Sequence, residues 1–158
     1  MTTAQKVDWA RVIARGVAAG VAGGVLLDLF IYFTSVLPHH ASMLAVWQFI
    51  ASTAVGKVAF TSTSYAWLGL IVHFAVSIAW AIGYAYLANT RGALDAHPAI
   101  SGIVFGAVVY VVMQIVLVGD NAFHMPSGGE FGLALAGHCL FYGLPVAYAV
   151  RAQSRPPA

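Results

Sequence analysis

Four stretches of about twenty residues, 16–37, 67–87, 99–118 and 131–150, are almost free of charge, and Asp28 is the one ionised side chain expected within them. About 20 consecutive apolar residues span a bilayer as a helix. In lipid every backbone polar group must be satisfied internally, which a helix does within its own segment. Charged residues make up 8% of the 158-residue chain and hydrophobic ones 61%. A soluble domain carries about 25% charged residues. The expected fold is therefore an all-α membrane protein, a four-transmembrane-helix bundle forming one integral membrane domain over 1–158, with no separate soluble catalytic domain. The first run is longer than the apolar core of a signal peptide and lacks a small-residue cleavage site, so it reads as a retained span.

The basic residues orient this bundle. Lys6, Arg11 and Arg15 precede the first run, Arg91 lies between the second and third, and Arg151 and Arg155 follow the fourth. Only Lys57 falls on the opposite side. The positive-inside rule then places both termini in the cytoplasm of a bacterial inner membrane. Trp9 sits as an interfacial anchor for the first span. The net charge of +2 does not point to nucleic acid. Cys139 is the single cysteine and lies inside the fourth run, which excludes an intrachain disulfide.

The connections are predicted from local signals. Pro38, His39 and His40 end the first span. Within the long outer loop, Met43, Trp47 and Ile50 recur at helical spacing before Gly56, predicting a short interfacial helix over about 41–55. Asp95 or its neighbours cap the third span, and Pro98 suits its first turn. Ser127-x-x-Glu130 is a capping-box pattern for the fourth span, so Glu130 reads as a cap rather than a catalytic acid. Pro145 is expected to kink that span.

The chain repeats itself weakly. Gly16 and Gly20 in GVAAGVAGGVLLDLF correspond to Gly102 and Gly106 in GIVFGAVVYVVMQIV, and Asp28 and Gln114 stand at equal offsets after them. Each following run carries one histidine, His73 or His138. The halves read as two similar helical hairpins related by an axis along the membrane normal. Residues four apart share a helix face. Gly16, Gly20 and Gly24 thus lead to Asp28 on one stripe, and Gly102 and Gly106 lead through Tyr110 to Gln114 on another. Small-residue stripes let helices pack closely, so the polar residue ending each stripe is expected to face the bundle interior. Gly69, His73 and Ser77 share a face, as do Ala134, His138 and Tyr142.

At 1.5 Å per residue, His73 and His138 lie about 9 and 10 Å from the outer ends of their runs, Asp28 about 13 Å and Gln114 about 6 Å. The sequence thus predicts a polar intramembrane site of Asp28, His73, Gln114 and His138, with Ser77 and Tyr142 nearby. A carboxylate at membrane depth costs about 2.5–3.5 kcal/mol on insertion scales, so it has a partner or a role. Three readings are open. The polar groups bridge helices, as in an accessory structural subunit of a larger membrane complex. Alternatively they handle protons, a cation or a small solute in a transport- or stress-related, non-enzymatic protein. Or His73 and His138 bind a b-type haem in an electron-transfer subunit. A second group, His39, His40, Met43, His124 and Met125, offers imidazole and thioether ligands of the kind that suits copper. The expected partners are the lipid bilayer and a second copy of the chain or a larger complex. No catalytic motif is present: no G-x-S-x-G, no H-E-x-x-H and no phosphate-binding glycine loop.

The runs GVAAGVAGGVLLDLF, HFAVSIAWAIGYAYL and AGHCLFYGLPVAY resemble the YagU-like group of bacterial inner-membrane proteins over residues 16–150. That resemblance implies four spans and carries no established activity. The group is loosely associated with acid tolerance, which fits a proton-responsive Asp-His cluster. Some members place other polar residues where this chain has Asp28.

Overall fold

The computed structural model describes residues 7–119 and 128–152, and these are helical almost throughout, with no strand among them. Helix α1 (Trp9–Ile31) continues as a π-helical turn over Tyr32–Val36. Then come α2 (Met43–Val55) with a 3-10 turn over Gly56–Phe60, α3 (Tyr65–Thr90), the short α4 (Gly92–Ala96) and α5 (Pro98–Gly119). Helix α6 (Gly129–Gly137) passes through a π segment, His138–Gly143, into α7 (Leu144–Ala152). Five helical stretches are long and apolar enough to cross a membrane: Trp9–Val36, Met43–Phe60, Tyr65–Thr90, Pro98–Leu117 and Gly129–Arg151. The outside is as apolar as the inside. Ile71, Ile100 and Ile115 are exposed by 66%, 66% and 65%, which suits a lipid solvent rather than water.

Several ends differ from expectation. Helix α1 starts at Trp9 rather than near 16, because the Asp8 carboxylate accepts from Arg11 N–H at 3.1 Å and caps it there. Trp9 stacks on Tyr86 of α3 with ring centroids 5.2 Å apart. Asp95 lies inside α4 instead of capping α5, whereas Pro98 does occupy the first position of α5. Gly128 stands at the cap of α6 and Glu130 lies in its first turn, while the Ser127 half of the expected capping box falls outside the described residues. Ser127, His124, Met125, Asp120, Lys6 and Arg155 lie outside the described residues.

Helix α2 is capped by Ser42, whose hydroxyl accepts from Leu44 N–H at 3.2 Å. It stops at Gly56, whose φ of 64° and ψ of −153° belong to a region essentially reserved for glycine. The chain then turns back. Gln48 donates through Nε2 to the carbonyls of Ala59 and Ser62, both at 3.0 Å. In a straight helix those residues would stand about 16–21 Å further along the axis, beyond any side chain's reach. Met43–Phe60 is thus a 13-residue helix, about 20 Å long, with a folded-back end.

Glycines set the packing. A Cβ at Gly16 or Gly20 would lie 2.5 or 2.6 Å from the Cα of Ile82 or Ile78, so α1 and α3 touch backbone to backbone. A Cβ at Gly102 would meet the Gly143 carbonyl at 2.8 Å, and one at Gly106 would overlap the His138 carbonyl. Helix α5 therefore rests on the π segment and α7 in the same manner. Gly23 seats Tyr142 and Val146, and Gly137 seats Phe30, closing α1 against α6 and α7. Helix α2 crosses α3 at Gly69, against the Trp47 carbonyl.

Candidate functional site

The glycine seam between α1 and α3 carries Asp28 and His73 to the same level. His73 Nε2 stands 3.3 Å from Asp28 Oδ1 and 3.4 Å from the Gly24 carbonyl oxygen. Both side chains are nearly enclosed, with 12% and 15% of their surface exposed. Phe74, seated on Gly24, meets the His73 ring edge to face at 5.1 Å. From α2 the Trp47 indole approaches the Asp28 carboxylate without completing a hydrogen bond.

His138 faces the same region from the other side. Its Nδ1 lies 2.9 Å from the Ala134 carbonyl oxygen, and its ring is 5.1 Å from that of Tyr110 on α5. Gln114 follows Tyr110 by one turn on α5. Two groups of polar side chains result, Trp47–Asp28–His73 and His138–Tyr110–Gln114, which together make up the polar line.

Four buried side-chain polar atoms lack a hydrogen-bond partner among the described residues: Asp28 Oδ1, Trp47 Nε1, Tyr110 OH and Gln114 Oε1. All four belong to this line. An unpaired buried polar group costs about 1–3 kcal/mol. Such groups call for an explanation in a ligand, an ion or ordered water. The backbone is irregular at the same level. The first π turn begins at Tyr32, one turn after Asp28, where Thr34 Oγ1 donates to the Phe30 carbonyl at 2.7 Å. The second begins at His138, and Leu144 N–H reaches back five residues to the Cys139 carbonyl ahead of Pro145. The proline ring clashes with the carbonyl four residues earlier, so the expected kink takes the form of a widened turn. Single π turns occur frequently at functional sites.

Ser77 and Tyr142 stand one turn inward and are fully paired. Ser77 Oγ donates to the Gly20 carbonyl at 2.7 Å, and Tyr142 OH donates to the Ser77 carbonyl at 2.5 Å. They tie α1, α3 and the π segment together beneath the histidines instead of joining the open polar line.

Just past the π turn that ends α1, His39 Nδ1 lies 2.8 Å from the Ser35 carbonyl oxygen, and His40 adopts a positive φ of 50°. Both are exposed, and no group of three or more His, Cys, Asp or Glu able to hold a metal occurs among the described residues. A separate groove of about 520 Å³ opens between α3 and α5, lined by apolar groups such as Val76, Trp80, Leu87, Val104 and Phe105. It lies inward of the polar line and holds none of its residues.

Sequence reasoning reached Asp28, His73, His138 and Gln114 but not the two aromatic members. Trp47 and Tyr110 read as packing residues at helical spacing. The available signal was position: Tyr110 continues the Gly102–Gly106 stripe one turn before Gln114. No family model, curated protein or solved structure matches this chain.

Proposed function

We propose that the chain is a non-enzymatic, multi-pass protein of a bacterial inner membrane that takes up a small polar or cationic solute, or protons, at the Asp28–His73 site. In this reading α1, α3, α5 and the α6–α7 rod are four spans in two similar hairpins, with both termini cytoplasmic. Helix α2, at about 20 Å, is too short for the roughly 30 Å hydrocarbon core and lies as an outer cover. Placement among the YagU-like proteins, and with it a role under acid stress, is part of the same proposal and adds no residue role.

One observation carries the reading: four buried side-chain polar atoms, one of them on the intramembrane carboxylate Asp28, have no hydrogen-bond partner among the described residues. Polar groups that merely bridge helices find backbone partners, as the Ser77 hydroxyl does at the Gly20 carbonyl and the Tyr142 hydroxyl at the Ser77 carbonyl. The site is closed inward by the Gly20–Ser77–Tyr142 belt, so the outer side beneath α2 is the natural entrance. The test is flux. Purified protein in liposomes should pass protons or small solutes at a rate that Asp28→Asn lowers at least tenfold, since a tenfold change corresponds to about 1.4 kcal/mol and a charged hydrogen bond contributes about 1.5–3. Equal flux in both proteins would remove the reading. The haem alternative is checked on the same preparation: protein from haem-replete cells is expected to show no Soret band.

A further inference from the structure

The apolar groove between α3 and α5 lies apart from the polar site, and a glycine opens it. Gly83 lines the groove and has no atom within 4 Å of where a Cβ would stand, whereas each glycine of the Gly16–Gly20–Gly24 and Gly102–Gly106 stripes would meet a neighbouring helix within 3.0 Å. On either side of Gly83, Trp80 and Tyr84 lie against Phe105 of α5, with ring centroids 6.3 and 4.8 Å apart, so the wall is a set of fixed aromatic rings. Its two hydroxyls are engaged. That of Tyr84 lies 2.7 Å from Ser101 Oγ, which lies 3.0 Å from the carbonyl oxygens of Leu94 and His97. A trapped water needs about two to four polar partners, and this wall does not supply them, so the occupant is apolar.

The groove has the length of a lipid tail and a cation at its end. From Val76 to Leu87 its wall runs eleven residues along α3, about 16 Å. One leaflet is half of a roughly 30 Å hydrocarbon core, so the groove is as long as one leaflet is deep. At its surface end, the lining residues Leu87 and Leu94 are joined through Arg91: Arg91 N–H donates to the Leu87 carbonyl at 2.7 Å, and Leu94 N–H donates to the Arg91 carbonyl at 3.0 Å. Arg91 is exposed and makes no ion pair among the described residues. Asp95, half-buried, and His97, exposed, are the other ionisable residues of the α3–α5 connection. From this arrangement we propose that the groove holds one acyl chain of an anionic phospholipid, with the lipid phosphate at the Arg91 guanidinium. The proposal takes α3 and α5 as membrane spans and does not rest on the uptake role. A guanidinium is a planar fork that suits phosphate, and basic groups beside helices at a membrane surface attract anionic lipids. A second copy of the chain fits this face less well. A two-fold axis along the membrane normal would bring the two Arg91 side chains to the same level on one shared patch, where like charges repel.

The test is native mass spectrometry of the full chain in mild detergent, given equimolar phosphatidylglycerol and phosphatidylcholine with identical acyl chains. The expected result is one lipid retained per chain, with phosphatidylglycerol preferred. Arg91→Gln should lower that preference about fivefold, the equivalent of about 1 kcal/mol for one basic residue at a membrane surface. Gly83→Leu, which grows a side chain into the open groove, should abolish retention of both lipids. Its unfolding midpoint shows whether the bundle is intact, and the comparison of headgroups needs no variant to fold. No retained lipid, equal retention of the two lipids, or retention that an intact Gly83→Leu variant keeps overturns the proposal. A preference that survives Arg91→Gln overturns the contact between phosphate and Arg91. A dimer of the chain without lipid, dissociated by Gly83→Leu, overturns the proposal in favour of a second copy.

Discussion

Gly20→Ala is expected to weaken the bundle, and Gly83→Ala is not, although both replace a glycine in an apolar helix. At Gly20 the new Cβ would stand 2.6 Å from the Ile78 Cα, where ordinary contact begins at 3.4 Å. Backbone cannot yield as a side-chain tip can, so α1 and α3 must part by about 0.8 Å. That movement stretches the 2.7 Å bond from Ser77 Oγ to the Gly20 carbonyl beyond the 2.5–3.0 Å range of an O–H···O bond. Overpacking of this kind costs about 1–3 kcal/mol, and an interhelical hydrogen bond in a membrane adds about 0.6 on average. The better helix propensity of alanine offsets little, since membrane helices are formed before they pack. At Gly83 no atom lies within 4 Å of the added Cβ, so the change should stay within about 0.5 kcal/mol. Reversible unfolding of both variants in mild detergent with added SDS, followed by tryptophan fluorescence, gives the comparison. Equal midpoints would refute the claim that the Gly16–Gly20–Gly24 stripe sets the approach of α1 to α3.

Three further outcomes are expected. Gly56→Ala should cost about 1–3 kcal/mol in the same titration, because φ 64° with ψ −153° is a glycine conformation, and it should loosen α2, shifting Trp47 emission to the red. Tyr142→Phe should cost about 0.6–1.7 kcal/mol by removing the donor to the Ser77 carbonyl, read from its unfolding midpoint. A cysteine at Lys57→Cys should react with an impermeant maleimide from the outer side of intact cells, and one at Arg91→Cys only after permeabilisation; the reverse pattern would invert the proposed topology.

The helices were legible because their cause is local: an uncharged run of about twenty residues has one way to satisfy its backbone in lipid. The glycine contacts were partly legible, since Gly16, Gly20, Gly102 and Gly106 share faces by spacing alone. What they would touch was not. The fold-back of α2 escaped notice because it depends on Gln48 reaching carbonyls eleven and fourteen residues away. Asp28 and His73 announced themselves by their cost in lipid, whereas Trp47 and Tyr110 did not. An aromatic ring in a membrane helix is ordinary, and whether its polar atom finds a partner is decided by the neighbouring helices. Ser77 and Tyr142 share faces with the histidines by spacing, but the carbonyls that receive their hydroxyls belong to other helices and were not visible in the sequence.

The central claim is that the Asp28–His73 pair serves a ligand rather than the fold. The most direct test is the unfolding free energy of the double variant Asp28→Leu, His73→Phe. Exchanging a buried ion pair for apolar groups of similar volume is often neutral or stabilising by about 1–4 kcal/mol, because desolvation offsets the attraction. The account predicts that outcome, with Asp28-dependent flux lost. A clear drop in the unfolding free energy of the double variant, in which no charge is left unpaired, would contradict it and make the cluster a structural bridge.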